Sequence, residues 1–332
     1  MTAARRDWHH ALWGLLVAIS GLTVLFDPVH SPFPVGLALA GSVRPWLLAW
    51  RAAEGTTLRG ALVWAALAIA LGVLSQVQAW MEIVGSGRPW AGRGTYLMVL
   101  MLLAALVSVL GARNPGSGAW AILMALLVVV FLIPWFEAAS RVRRSGGPVE
   151  LQLSSPWTIF YGLLVLAGVT NYLPTRYGPV ACAIGAGLVI EYLGLTRTGW
   201  TSATRAAVWP AVAWCLALAA WLADWCAGKP EVESSTIDRV WFWFRDHWGV
   251  VWALRLLERF NRTAELSSWP VRLSWFGLAR ASPSGPELSP AQLNQAEATL
   301  RGLIRRFAAP DCVNELLASQ KGKTCQSDLP AQ

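Results

Sequence analysis

The chain has 332 residues, of which 55% are hydrophobic and 14% charged, with a mean hydropathy of +0.45. A soluble domain usually carries about 25% charged residues, and a soluble fold of this length could not hide so much apolar surface, so lipid must cover part of it. The net charge of +8 is almost all arginine; with no basic stripe and no recognised motif, nucleic acid is not an expected partner.

The composition and the runs below predict an all-α polytopic membrane protein of seven or eight transmembrane helices, with a small, mainly helical C-terminal region outside the bilayer. A span needs about 20 mainly apolar residues. Arg5 and Arg6 precede an apolar run over 9–26. No small-x-small cleavage site follows it, so it reads as an uncleaved first span. Segment 29–53 is the ambiguous one: Pro28, Pro32 and Pro34 open it, and Arg44 and Pro45 interrupt it. It reads as an eighth, broken span with Arg44 facing protein, or as a re-entrant or interfacial segment. The first reading is preferred, although an arginine at mid-bilayer costs roughly 2.5 kcal/mol or more. Further spans are predicted at 60–80, 95–112, 118–136, 156–174, 177–195 and 206–227. Residues 1–228, the predicted bundle, hold 14 Arg against 8 acids, a net of +6.

Loop arginines bear on topology through the positive-inside rule. With seven spans, Arg88, Arg93, Arg141, Arg143, Arg144, Arg197 and Arg205 share a side with the N-terminus, and the tail is external. With eight spans they divide almost evenly, and an N-terminus inside puts the tail in the cytoplasm. The rule thus pulls against the preferred reading of 29–53. The 21 Trp suit the headgroup zone, where the ring is buried and the N–H stays wet.

The tail, 229–332, carries a net +2. Ser235 to Asp238 matches a capping box. The helix that follows carries Trp241, Trp243, Trp248 and Trp252, interrupted by Arg245, Asp246 and His247. Its polar face shifts around Gly249: Asp238, Arg239, Arg245 and Asp246 lie on one side, Arg255, Glu258, Arg259 and Arg262 on another. An aromatic-rich helix just after a span is expected to lie in the interface plane, which makes these aromatic and polar positions the candidate partner or lipid interface. Residues 269–278 alternate like a short strand. Ser289 to Gln292 is a second capping box with Pro290 at the first helical position; that helix is expected to run to Ala309, and Asp311 to cap a last one that closes near Gly322.

Chemistry-bearing residues are few. His9, His10, His30 and His247 all lie off the span centres, which argues against bis-His haem, and His9 and His10, adjacent on a helix, point about 100° apart. No C-x-x-C, H-E-x-x-H, Walker A or G-x-S-x-G string occurs. No catalytic residue, metal ligand or cofactor is therefore expected. Glu191 and Asp224 lie within spans near their ends, and an ionisable group at membrane depth is a functional candidate. Asn171, Thr175 and Arg176 form a polar knot at a membrane surface; Arg176 could take a lipid phosphate or a carboxylate. Arg44, Asn171, Arg176, Glu191 and Asp224 are thus the candidate lipid or substrate contacts. Cys312 and Cys325 would pair only in an oxidising compartment.

Three functions fit. The preferred one is a non-catalytic multi-pass component of the cell (inner) membrane: a subunit, assembly factor or scaffold. Its expected partners are the lipid bilayer, anionic lipid headgroups and a membrane protein. A small-solute transporter or a membrane-embedded enzyme acting on lipid-linked substrates are the alternatives.

Overall fold

A computed structural model describes residues 3–85, 91–111, 118–137, 140, 151, 153–196, 202–228, 235–280 and 288–318. The chain divides into two units. Unit 1 holds Met1–Ala52, Arg59–Val109 and Gly118–Lys229; unit 2 holds Ala53–Leu58, Leu110–Ser117 and Pro230–Gln332.

Unit 1 is helical: α1 (Ala3–Phe26), α2 (Pro32–Ala40), α3 (Val43–Ala52), α4 (Arg59–Ile83), α5 (Ala91–Leu110), α6 (Gly118–Phe131), α7 (Ser155–Thr170), α8 (Gly178–Thr196) and α9 (Ser202–Gly228). Among the described residues, six stretches are long and apolar enough to cross a membrane: α1, α4, α5, the stretch Ala119–Glu137, α8 and α9. α7 is apolar but shorter. This is the pattern of an all-α multi-pass membrane protein.

Burial sorts these helices. The apolar window of α5 is 72% buried, against 22% for those of α1 and α4, so α5 is the inner helix. Leu12, Leu15, Ile19 and Leu22 on α1, and Ile159, Leu163 and Leu166 on α7, stay exposed. Water does not tolerate such continuous apolar faces; acyl chains do.

Close approach replaces hydrophobic drive inside the bundle. Gly187 of α8 lies where a Cβ would meet Cys215 of α9 at 2.9 Å, and a Cβ on Gly94 of α5 would meet Ser75 of α4 at 2.8 Å. Tryptophans use the same device. The indoles of Trp221, Trp214, Trp13 and Trp209 sit against Gly14, Gly21, Gly41 and Gly92. Three of their N–H groups go to carbonyls of neighbouring helices: Trp214 to Val17 (2.8 Å), Trp221 to His10 (3.3 Å) and Trp13 to Ala38 (2.9 Å). The tryptophan load is therefore not only a headgroup belt, because several indoles lock one helix onto another.

Segment 29–53 is two short helices. The break falls at Gly41 and Ser42 because Pro45 has no N–H to return to the Gly41 carbonyl, four residues back. The pair runs antiparallel to α4: the Phe33 ring lies tilted against Trp80, Gly36 meets Gln76, Leu39 meets Gly72, the Trp46 indole donates to the Leu62 carbonyl, and Arg59 lies over Trp50. These contacts follow α4 from Trp80 to Arg59, a rise of about 30 Å, one hydrocarbon thickness.

Unit 2 is built on α10 (Thr236–Leu266), a hairpin of β1 (Val271–Ser274) and β2 (Gly277–Arg280), α11 (Pro290–Ile304) and α12 (Pro310–Ala318). The Ser235 hydroxyl accepts from the Asp238 N–H, and the Asp238 carboxylate reaches on to the Leu278 N–H at 2.6 Å. α10 bends at Gly249, where φ is 75° and ψ is −173°, a left-handed conformation that glycine adopts without steric cost. The strands pair antiparallel, with Val271 opposite Arg280 and Ser274 opposite Gly277. The Asn261 side chain donates to the Leu273 carbonyl (2.9 Å) and accepts its N–H (2.7 Å), docking the hairpin on α10. The second capping box is complete: Ser289 and Gln292 exchange side-chain and backbone bonds. α11 ends at Ile304, five residues before the expected Ala309, and α12 starts with Pro310.

Residues 53–58, between α3 and α4, are part of this unit. Thr57 N–H donates to the Phe307 carbonyl (2.9 Å), Ala309 N–H donates to the Gly55 carbonyl (2.8 Å), and the Trp248 indole donates to the Thr57 hydroxyl (3.1 Å).

Candidate functional site

Within unit 1 the candidate residues are dispersed. Asp224 meets a partner that its sequence neighbours do not reveal. The imidazole Nδ1 of His10 lies 3.0 Å from its carboxylate, and the ring stacks on Trp221 at 5.1 Å. The other ring nitrogen of His10, Nε2, is buried and makes no hydrogen bond. Arg176 donates to the Cys226 carbonyl at 2.5 Å and lies over the Tyr177 ring. It therefore caps the last turn of α9, whose terminal carbonyls have no intrahelical donor. Asn171 is buried beside it in sequence, and the Thr175 hydroxyl closes the turn onto the Tyr172 carbonyl. This reads as a structural knot between α7 and α8.

Glu191 is fully buried, and neither carboxyl oxygen has a hydrogen-bond partner. Tyr96 and Tyr161 are within electrostatic reach. Both phenols are engaged elsewhere, donating to the carbonyls of Phe131 (2.7 Å) and Leu188 (3.2 Å). Arg44 is half-buried on α3. It stands two residues before Trp46, whose indole reaches Leu62 near the start of α4, so it lies well toward that end of the bundle rather than at its middle. A long side chain there can carry its charge outward.

In unit 2 the aromatic helix does not present the surface that its composition suggests. Trp241, Phe244 and Trp248 are fully buried, and Trp252 nearly so. Phe307 closes this core with ring contacts to Phe244, Trp248 and Trp252 at 5.0–5.9 Å. Most of the expected interface positions are therefore a folded core. The polar residues between them also serve it. Arg245 forms an ion pair with Asp246 at 2.9 Å, with both side chains largely buried, and donates to the Trp275 carbonyl at 2.8 Å. His247 donates to the Trp243 carbonyl at 2.7 Å.

The surface feature of this unit lies after the bend. A groove of about 380 Å³ is lined by Arg255, Arg259, Arg262 and Arg306, with Glu258 as its acid and Trp252 and Phe307 in its floor. Its volume falls within the range of small-molecule sites, roughly 300–1,000 Å³. It is built on helical periodicity: the second half of α10 buries Trp252, Leu256, Phe260 and Ala264 on one stripe, which turns 255, 259 and 262 outward together. The sequence signal was the shift of the polar face at Gly249; the contribution of Arg306 had no local signal. Cys325 and Gly322 lie outside the described residues, and among the described residues no His/Cys/Asp/Glu group could hold a metal ion. The chain matches no protein-family model, no curated protein and no solved structure.

Proposed function

We propose that this chain is a non-catalytic multi-pass component of the cell membrane, a subunit, assembly factor or scaffold, whose unit 2 is the recognition part. The observation that carries this reading is the arginine groove: cationic side chains converge on an ordered aromatic floor outside the apolar helices. Such a surface suits an anionic lipid headgroup or an acidic segment of a membrane protein.

The proposal includes eight crossings: α1, the broken α2–α3 pair, and α4 through α9. Two observations support it. The α2–α3 pair follows α4 along a full hydrocarbon thickness. The chain also leaves unit 2 at Leu58, touches it again at Leu110–Ser117 and returns to it at Pro230, which fits two crossings in the first interval and four in the second. Five of the helices there are of full length; α7 makes the sixth. The N-terminus, the 53–58 connection and the tail then share one side. Purification in mild detergent, with identification of what accompanies the chain, tests the recognition reading. A stoichiometric protein or anionic lipid partner is expected; a chain that purifies alone and turns over a substrate contradicts it.

One observation favours a second reading, an enzyme acting on lipid-linked substrates. The His10–Asp224 pair leaves an imidazole nitrogen without a partner, the arrangement of an oriented base. Lipid-linked substrate turnover that is abolished by His10→Gln would establish it.

A further inference from the structure

We propose that the groove of unit 2 is a phosphate-binding site, taking a ligand with a phosphate group beside an apolar portion; this rests on the reading of unit 2 as the recognition part. Three arginines come from one face of α10, at 255, 259 and 262, and the fourth, Arg306, from the segment after α11. Like charges spaced three and four residues apart on a helix repel. Glu258 alone offsets it among the groove's lining residues, one acid against four arginines, and the ion pairs Arg245–Asp246, Arg272–Glu265 and Arg301–Glu297 lie outside the groove. Arg255 lies over the Trp252 ring at 4.9 Å; Arg259, Arg262 and Arg306 are exposed and unpaired.

The choice of residue narrows the ligand. A guanidinium offers two parallel N–H donors, a fork that matches two phosphate oxygens, whereas ammonium groups act as point charges. A single carboxylate satisfies one fork and leaves the other arginines unmatched. A phosphate with two negative charges can bridge two or three. The apolar floor of Trp252, Leu256, Leu303 and Phe307 gives the rest of the ligand a dry surface. Two sources carry this chemistry: the headgroup of an anionic phospholipid, and a soluble phosphate compound.

The test uses the full chain. Binding of radiolabelled inorganic pyrophosphate is measured in phosphatidylcholine nanodiscs, and retention of phosphatidic acid is measured after purification from mixed phosphatidylcholine–phosphatidic acid micelles. Saturable binding in at least one arm is expected. R259Q/R262Q should weaken it tenfold or more, R259K/R262K by an intermediate factor, and R301Q, outside the groove, by less than twofold. Pyrophosphate binding alone identifies a soluble ligand; phosphatidic acid retention alone identifies a headgroup. R306Q, on a separate segment, gives the same loss if the double variant fails to fold. The proposal is overturned if neither probe binds, if both bind R259Q/R262Q as they bind the native chain, or if polyglutamate competes as well as pyrophosphate. A protein partner that still co-purifies with a chain binding neither probe would overturn the phosphate assignment and leave the recognition reading standing.

Discussion

Gly21→Ala tests whether indoles seated in glycine notches hold the bundle together. A Cβ at Gly21 would lie 2.8 Å from Cε2 and Cζ2 of Trp214, whereas carbon atoms in contact prefer about 3.5–4.0 Å. The indole is rigid and must move by about 0.7 Å or more to restore that separation. The movement stretches the Trp214 bond to the Val17 carbonyl, now 2.8 Å. That carbonyl also accepts from the Ser20 hydroxyl at 2.9 Å, so it is not orphaned, and the lost bond costs about 1 kcal/mol. Overpacking adds about 1–3 kcal/mol, for a total of about 2–4 kcal/mol. Thermal unfolding in detergent, followed by near-ultraviolet circular dichroism, reads the change. Trp214→Phe alone is expected to be milder, and the pair G21A/W214F to recover part of the loss, since neighbours that share one contact are non-additive. An unchanged midpoint for G21A, or strict additivity in the cycle, would refute the notch as a packing device.

Asn261→Ala removes both bonds to Leu273 and exposes the hairpin; a loss of about 2–3 kcal/mol and faster amide exchange over 271–280 are expected, and unchanged protection would sink the docking role. Gly249→Ala forces a side chain into a left-handed backbone at a cost of about 1–2 kcal/mol; it should lower the unfolding midpoint and, by straightening α10, weaken ligand binding in the groove, whereas a neutral result would mean that the bend can be held without glycine. Glu191→Leu removes two buried oxygens that make no hydrogen bond and is expected to raise the midpoint by about 1–2 kcal/mol in equivalent stability. A chain that cannot be purified folded with this change would show that Glu191 has a partner in the membrane.

The membrane class was legible because apolar runs of span length leave no other solvent for their surface. Local signals in the tail were also legible. The Ser289–Gln292 box and the change of face at Gly249 each act through neighbours in sequence. Long-range partners were not legible. His10 and Asp224 are 214 residues apart, and nothing near either one anticipates the other. The burial of the aromatic run of α10 was not legible for a related reason: composition marks an aromatic-rich helix but not whether lipid or protein covers it. Here Phe307 and the 53–58 connection cover it, and both lie far away in the chain. The groove was half visible, since three of its arginines share a helix face and the fourth arrives through the fold.

The proposed membrane component has eight crossings and a recognition unit on the same side as its N-terminus. Single cysteines at Trp8, Val29 and Phe276, all exposed, test it in a chain whose native cysteines are replaced. An impermeant maleimide added to sealed vesicles of one orientation should label Trp8→Cys and Phe276→Cys together and leave Val29→Cys unlabelled; vesicles of the opposite orientation should reverse the pattern. Labelling of Trp8→Cys and Phe276→Cys from opposite faces would contradict the account.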